Sequence, residues 1–285
     1  MSINNFKPEI WSAQLLVGLR NALVYAQPQL VNRNYQGEIA SHGQSVHITT
    51  VGDPTISDYA AGDTINYEDV ETAGTDLVID QAKMFAFKID DVDKAQALLN
   101  PMSQMAQNAA YGLRDKADAF VASLYTGAAS ANQVGSTGSP IDIHTSPLDA
   151  YSKVLVPLRT KLNRANVPSE GRYFVGSPEF IGSMLNDDRF VKADAAGTTE
   201  GLRNGFVGRA AGFDILESNN TPNPSGDTQV MMAGYPGAIT YAEQILETEA
   251  LRLQSTIADA IRGLHVFGAK LLRPTGIAVA YVDPA

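Results

Sequence analysis

The stretch from Asn100 to Gly127, NPMSQMAQNAAYGLRDKADAFVASLYTG, admits one local structure: a single long helix with a start and a stop written into it. Asn100 supplies an N-cap oxygen, Pro101 fits the first helical position where its missing N–H costs nothing, and Gly127 offers a left-handed terminator. Met102, Met105, Ala106, Ala109, Ala110, Leu113, Ala117, Phe120, Val121 and Leu124 recur at three- and four-residue steps and form one stripe. Ser103, Gln104, Gln107, Asn108, Arg114, Asp115, Lys116, Asp118 and Ser123 are expected to fill the other side. At 1.5 Å per residue the helix is about 35–40 Å long, roughly double an average globular helix. It is a spine, and too polar to cross a membrane. Gly112 in its middle predicts a backbone or an aromatic ring packed close to it.

Such a spine needs a body around it, and 285 residues that are 44% apolar can build one large domain or two modest ones. With no cysteine, a disulfide framework, thiolate metal sites and a cysteine nucleophile are excluded. A formal charge of −10 argues against an unaided nucleic-acid binder, because neutralising phosphates takes a surplus of Lys and Arg. A protein that lines a DNA-filled space without gripping the DNA remains compatible with that charge. The opening MSINNFKPEIWSAQL lacks a basic start followed by an apolar run, and no apolar stretch reaches 18 residues, so the expectation is a soluble cytoplasmic product.

Residues 1–35 read as an arm, with Phe6, Ile10, Trp11, Leu15, Leu16, Leu19 and Leu23 on one stripe of a short helix beginning after Pro8. At roughly 1.5–3 kcal/mol per large apolar side chain, this stripe must lie on the chain's own body or on a neighbour. From Tyr35 to Asp90 the pattern turns to strands. Glu38 to Thr50 alternates around Ile39, Val46 and Ile48, and Thr75 to Ile89 carries Leu77, Ile79, Met84, Phe85, Phe87 and Ile89. Two long strands and a wide loop between them predict an extended hairpin. The loop region holds Asp53, Asp58, Asp63, Glu68, Asp69, Glu71 and Asp76, and no Lys or Arg occurs between Arg33 and Lys83. So one-sided a segment suits docking on a basic surface of another molecule. A solvated acidic loop is the alternative. A metal site is a third, although the five-residue spacing of the acids is unlike a calcium loop.

After the spine, Ala128 to Pro140 is small, polar and Gly/Ser-rich, a surface turn or connector. Ser146 and Pro147 start a second helix through Tyr151, Val154, Leu155, Leu158 and Leu162, near which Arg159, Lys161, Arg164 and Arg172 form the densest basic patch. That patch is either a partner for a neighbour's acidic loop or a solvated helix end. Arg172 to Leu185 reads as a strand turning into a helix capped by Ser177, with Pro178 and Glu179 behind it. Phe213, Ile215 and Glu217 mark a short strand; Gln229–Ala233 and Ala238–Ala242 mark two more, the second extending a residue or two further. Together they predict an α/β or α+β lobe over about 147–245. Gly263 to Val282 reads as strand, turn at Pro274–Gly276, and strand, expected to return against the spine, with Gly268 a bulge or a close backbone contact.

Chemistry is scarce. His42, His47, His144 and His265 are scattered without an H-x-x-x-H pair, and no G-x-S-x-G, P-loop or G-x-G-x-x-G occurs. Ser177 is explained as a helix cap, and Asp90, Asp91 and Asp93 as charge on the entrance to the spine. No catalytic, cofactor-binding or metal residue is assigned.

The order of these parts resembles the major capsid protein of tailed bacteriophages, of the Hong Kong 97 type of α+β shell fold. The resemblance rests on the opening FKPEIWSAQLL, the hairpin GQSVHITT with TDLVIDQAKMFAFKIDDVDKAQ, the element GRAAGFDILESNNTP and the ending IRGLHVFGAKLLRPTGIAV, and it spans nearly the whole chain. It implies an N-terminal arm at 1–35, an extended hairpin at 36–90, a peripheral domain from 91–146 and 246–285 around the spine, and an axial domain at 147–245. It implies a non-enzymatic subunit without cofactors that self-assembles as pentamers and hexamers into the icosahedral head of a double-stranded DNA phage. Assembly would take place in the cytoplasm of a bacterial host. Partners would be a separate scaffolding protein, a portal and a decoration protein, with DNA enclosed but not read. The numbering starts straight at the arm, so scaffolding is expected in another protein. A hairpin tip without Lys predicts a shell with no covalent weld between subunits. Intersubunit candidates are Trp11, Asp53, Asp58, Asp63, Glu68 and Asp69 on one side, with Arg159, Lys161 and Arg164 on the other. A bacterial nanocompartment shell of the same fold is the alternative, and a small soluble enzyme a more distant one.

Overall fold

The computed structural model describes residues 24–34, 45–51, 56, 58, 72–90, 101–146, 149–186, 206–253 and 258–284. The spine is α1, Pro101–Ser123, followed by one 3-10 turn, Leu124–Gly127. Asn100 lies outside the described residues, as do the side chains of Met102 and Ala106. Ala110, Leu113, Ala117 and Val121 are buried as the stripe requires, whereas Met105 is exposed. Two expectations about glycine fail. Gly112 faces open space with nothing near its missing Cβ, and Gly127 is not left-handed. Gly127 instead lies close under Leu271: a Cβ there would sit 2.9 Å from Leu271 Cδ2, the movable end of that side chain.

β1, Ser45–Val51, pairs antiparallel with β2, Thr72–Val78, around Ile48 and Leu77. The expected long strand over 75–89 is in fact two. After Ile79 and Asp80 the chain enters β3, Gln81–Asp90, which belongs to another sheet. There β3 lies on β11, Ala258–Leu271, which pairs in turn with β10, Ile239–Arg252. β10 is 14 residues long where the sequence suggested about half that, and its extra residue, the β-bulge, falls between Ile245 and Glu247. Gly268 is a close backbone contact and not the bulge, because a Cβ there would collide with the Val78 carbonyl oxygen where the β2–β3 turn crosses over.

Next come β4 and β5, Gln133–Val134 and Ile141–Asp142. A π-helical turn, Ala150–Leu155, leads into α2, Val156–Arg164. β6, Tyr173–Gly176, turns into α3, Pro178–Leu185, with Ser177 Oγ accepting the Phe180 N–H at 3.2 Å, as the sequence predicts. β7, Phe206–Ala210, went unrecognised in the sequence. It pairs with β8, Phe213–Glu217, through Ala211 and Gly212, both at positive φ (50° and 83°), the turn that matches strand twist. β9, Gln229–Gly234, and β12, Ile277–Asp283, complete a seven-stranded mixed sheet in the order β4-β12-β9-β6-β8-β7, with β5 also on β12.

This sheet holds the molecule together, because its strands are buried on both faces. Tyr173, Val175, Val230, Met232, Ile277 and Val279 point to a core shared with α1. Phe174, Met231, Ala233, Ala278, Ala280 and Val282 point to a second core under α2 and α3. A continuous apolar run such as IAVAYV is what a strand covered on both sides requires. The expectation that the final strand pair returns to the spine is met by both strands: Phe267 of β11 meets Phe120 of α1 at 5.6 Å between ring centroids, and Ile277 and Val279 of β12 share a core with Ala117 and Val121, while the other face of β12 serves the second core.

Candidate functional site

Residues 24–34 form a strap across the spine and the start of β10. Tyr25, Ala26, Leu30 and Val31 are buried in the core shared with α1, so this part of the N-terminal arm lies on its own body. Trp11 and the rest of the arm's stripe lie outside the described residues. Asn32 donates its N–H to Ile239 O at 2.8 Å and accepts the Tyr241 N–H at 3.0 Å, capping the edge of β10.

Two buried carboxylates hold the strap's ends, and neither stood out in the sequence. Asp118 was expected on the solvent side of the spine. It is 3% exposed, and its Oδ1 accepts the N–H groups of Val24 at 2.8 Å and Tyr25 at 2.6 Å. Its Oδ2 accepts from Asn220 Nδ2 at 3.2 Å. Burial raises the Asp118 carboxyl above its ordinary range, and the Asn220, Tyr25 and Val24 hydrogen bonds pull against that rise. Beside it a cleft of about 280 Å³ is lined by Val24, Tyr111, Arg114, Asp118, Glu217 and Asn220, with Arg114 stacked 4.0 Å over the Tyr111 ring.

At the strap's other end Arg33 Nη1 donates to Glu243 Oε1 at 2.9 Å, its Nε donates to Ala26 O, and its guanidinium lies 4.9 Å over the Tyr241 ring. Glu243 also accepts from the Tyr241 hydroxyl at 2.9 Å, and His265 Nε2 stands 3.6 Å away. Burial alone would push the Glu243 carboxyl up; His265, Arg33 and Tyr241 together hold it down to about 2. Burial also pushes the hydroxyls of Tyr25, Tyr173 and Tyr241 up. A buried acid paired with a cation from a distant segment fixes where that segment sits.

The surface candidates divide unevenly. Arg159 and Arg164 are exposed on α2 and make no ion pair among the described residues. Lys161 is partly committed, donating to Ala131 O at 2.7 Å. Arg172 leaves the patch altogether: it is buried, and its guanidinium donates to Pro168 O, Val167 O and Asn163 Oδ1. Asp58 is exposed next to Ile56, itself 96% exposed, and nothing joins Asp58 to α2 among the described residues. Asp53, Asp63, Glu68 and Asp69 lie outside the described residues.

Among the described residues no group of three or more potential ligands could hold a metal, and no helix is long and apolar enough to cross a membrane. His47 pairs with Asp76 at 2.6 Å on the hairpin, His144 is in a loop, and His265 is in β11, while His42 lies outside the described residues.

The chain's likenesses point one way. The family model described as phage capsid protein matches residues 71–280. A solved structure from Mycobacterium phage Che8 is 36% identical, covers 98% of each chain and superimposes with a TM-score of 0.70. The capsid of cyanophage P-SCSP1u is 19% identical over 92% of this chain and 89% of that one, with a TM-score of 0.69. The mature capsid of bacteriophage PhiM1 is 15% identical over 88% and 87%, with a TM-score of 0.64, and these last two show a shared fold. No curated protein sequence matches the chain.

Proposed function

This chain belongs to the phage capsid protein family, and from that premise we propose how its parts serve as one tile of a shell. It is a major capsid protein of tailed-phage type with the α+β Hong Kong 97 fold, a structural protein that assembles into an oligomeric icosahedral head and resides in the virion. The nanocompartment alternative is not favoured, since the family and the matched structures are of phages. The observation that carries the reading is the family match through the spine and both large sheets, residues 71–280.

The tiles form pentamers and hexamers in the cytoplasm of a bacterial host, around a separate scaffolding protein, with a portal and a decoration protein as further partners. Double-stranded DNA is enclosed without sequence reading, in keeping with a net charge of −10. The role is mechanical, and no catalytic step is assigned to it. In this reading residues 1–35 are the arm and 36–90 the extended hairpin. The spine with β10 and β11 forms the peripheral part, and the lobe around 147–245 forms the axial part. The acidic hairpin loop, with Asp53, Asp58, Asp63, Glu68 and Asp69, reaches a neighbour. Arg159 and Arg164, exposed and unpaired among the described residues, are the cations free to receive it, with Lys161 beside them. Trp11 is the arm's own contact.

Electron microscopy of the expressed protein tests the whole: shells are expected, and a monodisperse small oligomer at high concentration would overturn it. For the loop, reversing charge at Asp58 and Asp63 together is expected to cut particle yield while leaving the subunit's circular dichroism unchanged. An undiminished yield sinks acidic docking. Particles boiled in detergent should run as single subunits; a ladder of oligomers would contradict a shell without covalent links.

A further inference from the structure

The β1–β2 hairpin runs on into β3, yet the two belong to different sheets, and the chain crosses from one to the other at a single place. β3 pairs with β11 as far as Gln81 opposite Phe267, and the next residue of β11 is Gly268. There the chain leaves the plane of the sheet instead of continuing beside it. Phe267 faces the spine, so Gly268, Lys270 and the Ala242 paired with Gly268 face the other way. On that side Ile48 and Leu77 of the hairpin are buried with Ala242, Val46, Ile79 and Leu272 pack around them, and Lys270 Nζ donates to Asp76 O at 2.9 Å. A two-stranded hairpin is marginally stable by itself, so its order and its direction come from this seat.

Gly268 is where hairpin and sheet come closest. A Cβ there would collide with the Val78 carbonyl oxygen and sit 2.9 Å from Ile79 Cα and 3.1 Å from the Val78 carbonyl carbon. These are main-chain atoms pinned between the β1–β2 and β3–β11 ladders, so no change of rotamer makes room and the crossing itself would have to lift. Gly263, earlier in the same strand, differs: a Cβ there would meet the ring of Phe85, a side chain. Gly268 is not at positive φ, so closeness and not backbone conformation calls for glycine here.

We propose that Gly268 is a positioning residue for shell assembly: with Ala242 and Lys270 it sets the direction in which the hairpin leaves its own subunit, and so where on a neighbour the hairpin lands. This rests on the reading of the hairpin as the element that reaches a neighbour, and not on the acidic contacts assigned to its loop. The leverage is long. A strand of 7 residues such as β2 spans about 23 Å, so a tilt of about 10° at Val78 carries the far end at Thr72 about 4 Å, more than the length of a hydrogen bond. A methyl group at position 268 wedges the hairpin root off the sheet face and parts Ile48 and Leu77 from Ala242.

Gly268→Ala in the full chain tests it, read by hydrogen exchange on the unassembled subunit and by electron microscopy of the assembly products. The β1 and β2 amides are expected to lose about tenfold or more protection while the β9 and β12 amides keep theirs, and closed shells are expected to fall in yield or change in diameter. Unchanged hairpin protection, or a loss shared equally by β9 and β12, overturns the proposal. So do shells of natural yield and diameter from a variant whose hairpin is loosened. Should Gly268→Ala fail to fold, Lys270→Met, which removes the tether to Asp76 O, should show the same pattern at about two- to tenfold, with the same overturning results. Charge reversal at Asp58 and Asp63 stays a separate question, because Gly268→Ala leaves every carboxylate in place: an undiminished yield there sinks the acidic contacts and leaves the seat standing.

Discussion

The two faces of the seven-stranded sheet are covered by different means. Under α2 and α3 the cover is mainly apolar, with Leu158, Leu162, Phe180 and Met184 on Phe174, Phe213 and Met231, and the buried Arg172 and Ser177 bond to groups near them in sequence. On the other face α1 and the strap add two buried carboxylates to a core of similar kind. Apolar contact is non-directional, whereas a buried acid specifies which backbone amide or guanidinium comes to it. One face is therefore closed by bulk apolar contact, and the other holds one segment in one place by directed contacts.

The comparison breaks most violently on the apolar face. Phe174→Ala, which removes a ring tilted against Phe180 and Phe213 with centroids 5.3 Å and 6.5 Å away, is expected to cost about 3–5 kcal/mol in urea unfolding of the unassembled subunit. On the polar face Asp118→Ala leaves the Val24 and Tyr25 amides without their acceptor. It should cost about 1–3 kcal/mol for each group left unsatisfied, with protection lost at the strap before the rest of the subunit. Ser177→Ala, a lost N-cap on the apolar side, should cost only about 0.5–2 kcal/mol and leave the strap untouched.

Dependence on pH sharpens the contrast further. The Glu243 carboxyl is depressed from 4.5 to about 2, so its contribution is complete above 4.5 and is lost as pH falls through about 2. Glu243→Gln should flatten the stability profile in that window. Asp118 is displaced the other way, so the natural chain gains stability relative to Asp118→Asn as pH falls toward the raised value. Unfolding midpoints of the two variants against pH should diverge from the natural chain in opposite senses; parallel profiles would show that the strap's ends are not electrostatically distinct.

The spine, the Ser177 turn and the lobe's main strands were legible because each rests on local periodicity or capping, and the order of these parts carried the family resemblance. What escaped depends on partners far away in sequence. Asp118 sits one turn before the buried Ala122, at the margin of the stripe, and nothing near it in sequence announces that two amides 93 and 94 residues upstream will need an acceptor there. The break at Ile79 and Asp80 has no glycine or proline to mark it, so two strands in different sheets read as one. β7 was hidden by the glycine at its centre, Gly208 at φ 138°. β10 looked short because its outer half, with Glu247 and Glu249, lacks a regular apolar–polar alternation in sequence. Arg172 looked like surface charge because its acceptors are mostly carbonyls, which no residue code displays.

β12 joins strands gathered from residues 133 to 234, yet it follows all of them in the chain. A nascent polypeptide that has emerged only as far as residue 253 has two half-cores facing each other with the slat between them missing, so it can neither close the lobe nor seat the spine. Closure of the tile therefore waits on residues 277–283, the one slat whose two sides serve both cores at once.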